Sequence, residues 1–155
     1  MEELITIITP TYNRKEKIKK LYESLLLQKD KRFKWLVIDD GSTDNTEDFI
    51  NSLDENEIHV EYLKKNNGGK HTALNIAFEN LNTDLACIVD SDDYLKFDAV
   101  SEILRDWERY KDCANICGLC YLKKNTSNIT MSPLFPYNER VDNYNKYIIN
   151  RKYYW

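Results

Sequence analysis

Apolar residues come in short bursts between polar stretches, and two periods alternate along the chain. Leu4 to Thr9 is a mostly apolar, isoleucine-rich run stopped by Pro10, the pattern of a buried strand. Ile18, Leu21, Tyr22 and Leu25 then recur at helical spacing. Asn13 is placed to cap that helix, with Glu16 three residues on as its reciprocal partner. Lys34 to Ile38 predicts a second strand, buried on both faces. After the polar turn Asp39 to Asp44, Asp44 and Glu47 predict the start of a helix striped by Phe49, Ile50 and Leu53. His59 to Leu63 predicts a third strand. The loop Lys64 to Lys70 carries two of the four glycines, and Ala73, Leu74, Ala77, Phe78 and Leu81 then return to helical spacing. Leu85 to Val89 predicts a fourth strand, followed by a helix holding Val100, Ile103, Leu104 and Trp107.

This alternation predicts an α/β fold: a mostly parallel central sheet with helices on both faces. Right-handed crossovers bring every loop that leaves a strand's carboxyl end to the same edge. Residues 10–14, 39–44, 66–70 and 90–93 therefore share one crevice. Beyond Tyr110 the pattern predicts a strand over Asn115 to Leu122, an irregular connection from Thr126 to Pro136, and a helical stripe of Val141, Tyr144 and Ile148. No internal repeat or low-complexity linker interrupts the chain.

A length of 155 residues suits one domain, and 42% hydrophobic with 31% charged residues is ordinary globular usage. The formal charge of −4 leaves no cationic surplus for a nucleic-acid backbone, so nucleic acid is not an expected partner. No run approaches the roughly 20 apolar residues of a membrane-spanning helix. Met1-Glu2-Glu3 does not open a secretory leader. The expectation is a soluble cytoplasmic protein. The aromatic, basic end from Tyr147 to Trp155 offers peripheral contact with the inner face of a membrane, or packs against its own sheet. Of the four cysteines, Cys117 and Cys120 have metal-knuckle spacing, but the remaining ligands of a zinc site are scattered. Small buried hydrophobes are the expected role.

Chemistry concentrates in the shared loops. Asp90, Asp92 and Asp93 crowd three carboxylates into one turn, where two charges about 4 Å apart repel by about 4 kcal/mol at an effective dielectric near 20. A hard divalent cation, magnesium or manganese, compensates such a group, with substrate phosphates completing its shell. The alternative is that Asp92 or Asp93 only turns the chain. The pair Asp39-Asp40 either forms a turn or accepts the imide N–H of a uracil-like base, for which Tyr12 offers a ring face or else packs in the core. Asn66 to Lys70 leads into a helix, so its backbone N–H groups and Lys70 either face an anion or form a solvated loop. The spacing matches neither a Walker loop nor a dinucleotide-binding glycine fingerprint.

Thr9-Pro10-Thr11-Tyr12-Asn13-Arg14, Val37-Ile38-Asp39-Asp40-Gly41-Ser42-Thr43-Asp44, Asn67-Gly68-Gly69-Lys70-His71-Thr72-Ala73-Leu74-Asn75 and Val89-Asp90-Ser91-Asp92-Asp93 occur in this order. In that succession they resemble the motifs of family 2 glycosyltransferases, over Leu4 to about Tyr110 and more loosely to Phe135. The resemblance implies the Rossmann-like, nucleotide-diphospho-sugar transferase type of fold. It implies an inverting, metal-dependent transfer of a sugar from a nucleoside-diphosphate sugar, a UDP-sugar by preference, to a glycan or lipid-linked acceptor in polysaccharide biosynthesis. By it, Pro10, Tyr12 and Asp40 hold the base, Asp39 supports their turn and Asp90 lies near the ribose. Asp92 and Asp93 bind Mn2+ or Mg2+ on the diphosphate, and Lys70 and Asn75 line the donor side.

Residues 1–112 are then the donor-binding half and 113–155 an incomplete acceptor-side segment, since members of the family continue with further acceptor-binding elements. Inverting members usually carry a later acidic motif that deprotonates the acceptor. Asp112, Glu139 and Asp142 are the acids available after Tyr110, and none sits in a recognisable version of it. The competing expectation is a donor-binding fragment without turnover. A third reading is a phosphoryl carrier; it is disfavoured because its principal acids belong directly after the first strand, where Pro10-Thr11-Tyr12 stands.

Overall fold

The computed structural model describes residues 2–54, 56–114, 116, 118–121, 123–125, 127 and 129–131. Its elements run β1 (Ile5–Thr11), α1 (Lys15–Leu26), β2 (Phe33–Asp39), α2 (Thr46–Asn51), β3 (His59–Lys64), α3 (Lys70–Glu79), β4 (Leu85–Ile88) and α4 (Ala99–Tyr110). The strands form a sheet in the order β3-β2-β1-β4, with every pairing parallel. From β1 the chain steps outward to β2 and β3, then returns past β1 to lay down β4. The strand order therefore reverses between β1 and β4, which is where open α/β sheets carry their ligand crevice.

The two faces of β2 show why the sheet is covered on both sides. Phe33, Trp35 and Val37 pack with Ile18, Leu21 and Leu25 of α1, Ile50 of α2 and Val100 and Leu104 of α4. Leu36 and Ile38, pointing the other way, meet Ala73 and Ala77 of α3. Trp35 stacks on Tyr22 at 5.9 Å between ring centroids, and its indole N–H donates to Thr9 Oγ1 at 2.9 Å, so the ring is buried without an unpaired donor.

β1 passes through Pro10 where the sequence predicted a stop. Its pairing with β4 ends at Ile8 and Ile88, so the N–H that proline lacks has no neighbouring carbonyl on that side. β2 extends the pairing to Thr11 and Asp39, which carries both strands up to the loops.

The chain divides into two compact units between Arg105 and Asp106. The first contains the sheet and all the loops of the predicted crevice. In the second, Lys124 and Thr130 make an antiparallel bridge, and Asn125 Oδ1 accepts from the Ser127 and Ile129 N–H groups at 3.0 and 2.9 Å. The described residues of the expected strand over 115–122 (Ile116 and 118–121) are not in a strand. An apolar run becomes a strand only where a neighbour pairs with it, and pairing is not written into local pattern. The stripe of Val141, Tyr144 and Ile148 and the end from Tyr147 to Trp155 lie outside the described residues. Cys113 and Cys120 are exposed, which corrects their expected burial, and Cys87 is half-buried on β4 with its thiol pushed up by burial. Cys117 is outside the described residues. Among those residues, no helix is long and apolar enough to cross a membrane.

Candidate functional site

The loop after β1 is pinned from the side, not from within its own helix. Asn13 has φ +52°; its N–H donates to Ser42 Oγ at 2.8 Å, and its Oδ1 accepts the Thr43 N–H at 2.7 Å. Asn13 therefore does not cap α1. That role falls to Asp44, whose Oδ2 accepts the Lys15 N–H at 2.9 Å while Oδ1 accepts the Thr46 hydroxyl at 2.5 Å and the Thr46 N–H at 3.2 Å. One carboxylate thus closes the starts of α1 and α2. Burial opposes its charge, but the Lys15 and Thr46 donors outweigh burial and hold the carboxyl below the usual range. Glu47 does not reach back to complete a capping box; it pairs with Lys64 at 2.6 Å.

Asp39 is fully buried and supports the turn. Its Oδ1 accepts the Ser42 N–H at 2.7 Å and its Oδ2 the Tyr62 hydroxyl at 2.6 Å. Burial, and then this bond to a carboxylate, push the Tyr62 hydroxyl pKa far up. Gly41 follows at φ +86°, where an added Cβ would lie 3.1 Å from Asn67 N and 3.2 Å from the Lys65 carbonyl. The close approach of these two loops requires glycine there.

Asp40 ties three segments together. Its N–H donates to the Thr11 carbonyl at 2.9 Å, and its carboxylate accepts the Gly68 N–H at 2.9 Å, the Gly69 N–H at 2.7 Å and the Lys65 ammonium. The free amides expected of the glycine loop do meet an anion, and the anion is Asp40. Burial raises its pKa, but Lys65, Gly69 and Gly68 together bring it below the ordinary value. A carboxylate offers about four acceptor positions. Three are used, which leaves one on Oδ2, the oxygen held by Gly69 alone.

Tyr12 stands beside this node with its side chain 47% exposed, so it is not a core residue, while Pro10 is buried in β1 opposite Ile38. Across the crevice, the loop after β4 turns on a bond from the Asp93 N–H to the Asp90 carbonyl at 2.9 Å. Two of this loop's carboxylates also meet cationic side chains of the chain itself. Asp90 Oδ1 meets Lys70 Nζ at 2.5 Å, and Asp92 Oδ2 meets Arg14 Nη1 at 2.5 Å and Lys17 Nζ at 3.5 Å. Arg14 holds the Asp92 carboxyl below its ordinary range, against a smaller effect of burial. Among the described residues, no three His, Cys, Asp or Glu side chains converge as an ion-holding group. Asn75 lies exposed on α3. Sequence reasoning gave no role to Arg14, Lys17, Lys65 or Tyr62. Arg14 ends the first motif and Lys65 precedes the third, but which carboxylate each one meets depends on loops 78 and 25 residues away in sequence.

The glycosyl transferase family 2 model matches residues 6–154. The chain belongs to that family. Putative teichuronic acid biosynthesis glycosyltransferase TuaG of Bacillus subtilis is 33% identical over 113 residues, 72% of this chain and 44% of TuaG. Chondroitin synthase of Pasteurella multocida is 36% identical over 111 residues, 72% of this chain and 12% of the synthase. The crystal structure of S. aureus TarS 1-349 in complex with UDP-GlcNAc superposes with a TM-score of 0.63 at 27% identity, over 70% of this chain and 32% of that one. This family 2 chain spans less than half the length of each of these relatives. Its α/β sheet is the Rossmann-like nucleotide-sugar transferase fold.

Proposed function

We propose that the first unit of this chain binds the donor of a transferase that moves a sugar from a UDP-sugar to a glycan or lipid-linked acceptor, inverting the anomeric carbon. The observation that carries this reading is the convergence of Tyr12, Asp40, Lys70, Asp90 and Asp92, from four separate loops, at the point where strand order reverses. The TarS complex with UDP-GlcNAc supports uridine as the base.

In this reading the exposed Tyr12 ring stacks on the base, and the open lone pair of Asp40 Oδ2 accepts its imide N–H. Asp39 and Pro10 keep that edge rigid, Asp90 accepts from a ribose hydroxyl, and Lys70 with Asn75 faces the donor's diphosphate side. The all-oxygen, half-exposed set of Asp92 and Asp93 fits a hard cation in its chemistry, so these two residues would hold Mn2+ or Mg2+. Such an ion supplies counter-charge to a diphosphate leaving group. Residues 1–112 serve the donor and 113–155 begin the acceptor side.

Calorimetric titration of UDP tests the reading. Affinity rises when Mn2+ is added to the wild type, and the metal-dependent increment disappears in Asp92→Ala. Affinity indifferent to both metal and substitution refutes it. Release of free sugar or transfer to an acceptor separates an enzyme from a binding-only domain.

A further inference from the structure

Asp90 and Asp92, across the crevice, are each covered by a cation from a different segment, and the cover of Asp92 differs in kind from an ordinary surface pair. Arg32 grips Asp30 with two parallel bonds, Nε to Oδ1 at 3.1 Å and Nη2 to Oδ2 at 2.7 Å. Arg14 touches Asp92 through Nη1 alone, on the one oxygen that Lys17 also approaches, and both partners are about two-fifths exposed. Fork-to-fork pairs are the strong, geometrically specific ones, whereas single-point pairs in water exchange readily. Arg14 also occupies the N-cap position of α1, directly after Tyr12 and Asn13, so its guanidinium hangs over the reversal point between β1 and β4.

We propose that Arg14 is an exchangeable counter-charge: it occupies Asp92 while the crevice lacks donor and ion, and moves to the donor's diphosphate when a divalent cation takes Asp92. The inference rests on the metal-dependent donor reading above. A guanidinium suits this exchange because it never loses its proton and binds carboxylate and phosphate oxygens with the same planar donors. Each anion keeps a cationic partner in both states. In the empty crevice Arg14 and Lys17 offset Asp92; in the filled one the cation offsets Asp92 and phosphate alike, and Arg14 gains a second anion of the same geometry. Competition follows directly: whatever holds Asp92 for Arg14 is lost to the ion. Lys17, at 3.5 Å, contributes less.

The test uses the full chain and two probes, with the unbound Mn2+ signal in electron paramagnetic resonance as the first readout and calorimetry with UDP at saturating Mn2+ as the second. Arg14→Gln tightens Mn2+ binding without nucleotide about two- to fivefold, the scale of a half-exposed ion pair, and weakens UDP binding at saturating Mn2+ by a similar factor. Arg14→Lys restores most of both, and Lys17→Gln changes Mn2+ affinity less than Arg14→Gln does. A merely structural Arg14 would weaken both ligands together, and that result, or an unchanged Mn2+ affinity in Arg14→Gln, overturns the exchange. If the wild type takes up Mn2+ with UDP but Arg14→Gln gains nothing, only the exchange fails. If the wild type takes up no Mn2+ even with UDP, the metal-dependent reading and the exchange fall together.

Discussion

Replacing Asp44 with alanine removes the one carboxylate that closes two helix starts. In the folded chain it accepts three bonds, from the Lys15 N–H, the Thr46 N–H and the Thr46 hydroxyl. Loss of an N-terminal cap costs about 0.5–2 kcal/mol, and a buried donor left without an acceptor costs about 1–3 kcal/mol. Thr46 is fully buried, so water does not replace the lost partner of its hydroxyl. Together these give a destabilisation of about 1.5–5 kcal/mol, measured as a lower urea midpoint at unchanged slope. The pH dependence has a definite sign. Asp44's carboxyl lies below its ordinary value in the folded chain, so its stabilisation is complete above about pH 4 and is lost as pH falls through the folded value. The gap between wild type and Asp44→Ala is therefore full at pH 7 and narrows in acid. The comparator is Asn13→Gly, which removes the exposed bonds to Oδ1 from the Thr43 N–H and, at 3.4 Å, the Thr43 hydroxyl, and relieves a positive φ; it costs about 1 kcal/mol or less. A larger loss in Asn13→Gly than in Asp44→Ala, or a gap that does not change with pH, refutes the cross-loop cap and favours the local cap that the sequence suggests.

Gly41→Ala strains a position at φ +86° and drives a methyl against the backbone at Asn67 and Lys65, so it lowers stability by about 1–3 kcal/mol and weakens UDP binding because the Asp40 turn shifts. Tyr12→Ala leaves the urea midpoint within about 0.5 kcal/mol, since the ring is half in solvent, yet removes about 1–3 kcal/mol of UDP binding if the ring stacks on the base; equal UDP affinity in the two proteins eliminates that role.

The crevice was legible because a strand's carboxyl end announces itself. An apolar run of four to seven residues, closed by acids, glycine or proline, fixes both the element and the edge where its loop emerges. Tyr12, Asp40, Lys70, Asp90 and Asp92 were placed at one rim on that basis, and the coordinates bring them there. The same reasoning erred at Asn13 and at Glu47. In each case it assigned a polar group to its nearest sequence neighbour, and the folded chain offered a better partner from another loop. The partners of Asp90 and Asp92 within the chain, Lys70 for the first and Arg14 with Lys17 for the second, were likewise not legible in the sequence.

The order of elements, the parallel sheet and the family motifs follow from the chain alone, since period and punctuation are local properties and four motifs in order are specific. The choice of partner for each charged group was settled only on folding: Asp44 to Lys15 and Thr46, Asp40 to the loop before α3, Arg14 to Asp92. A hydrogen bond depends on distances of a few tenths of an ångström between segments tens of residues apart, and packing of the two sheet faces sets those distances.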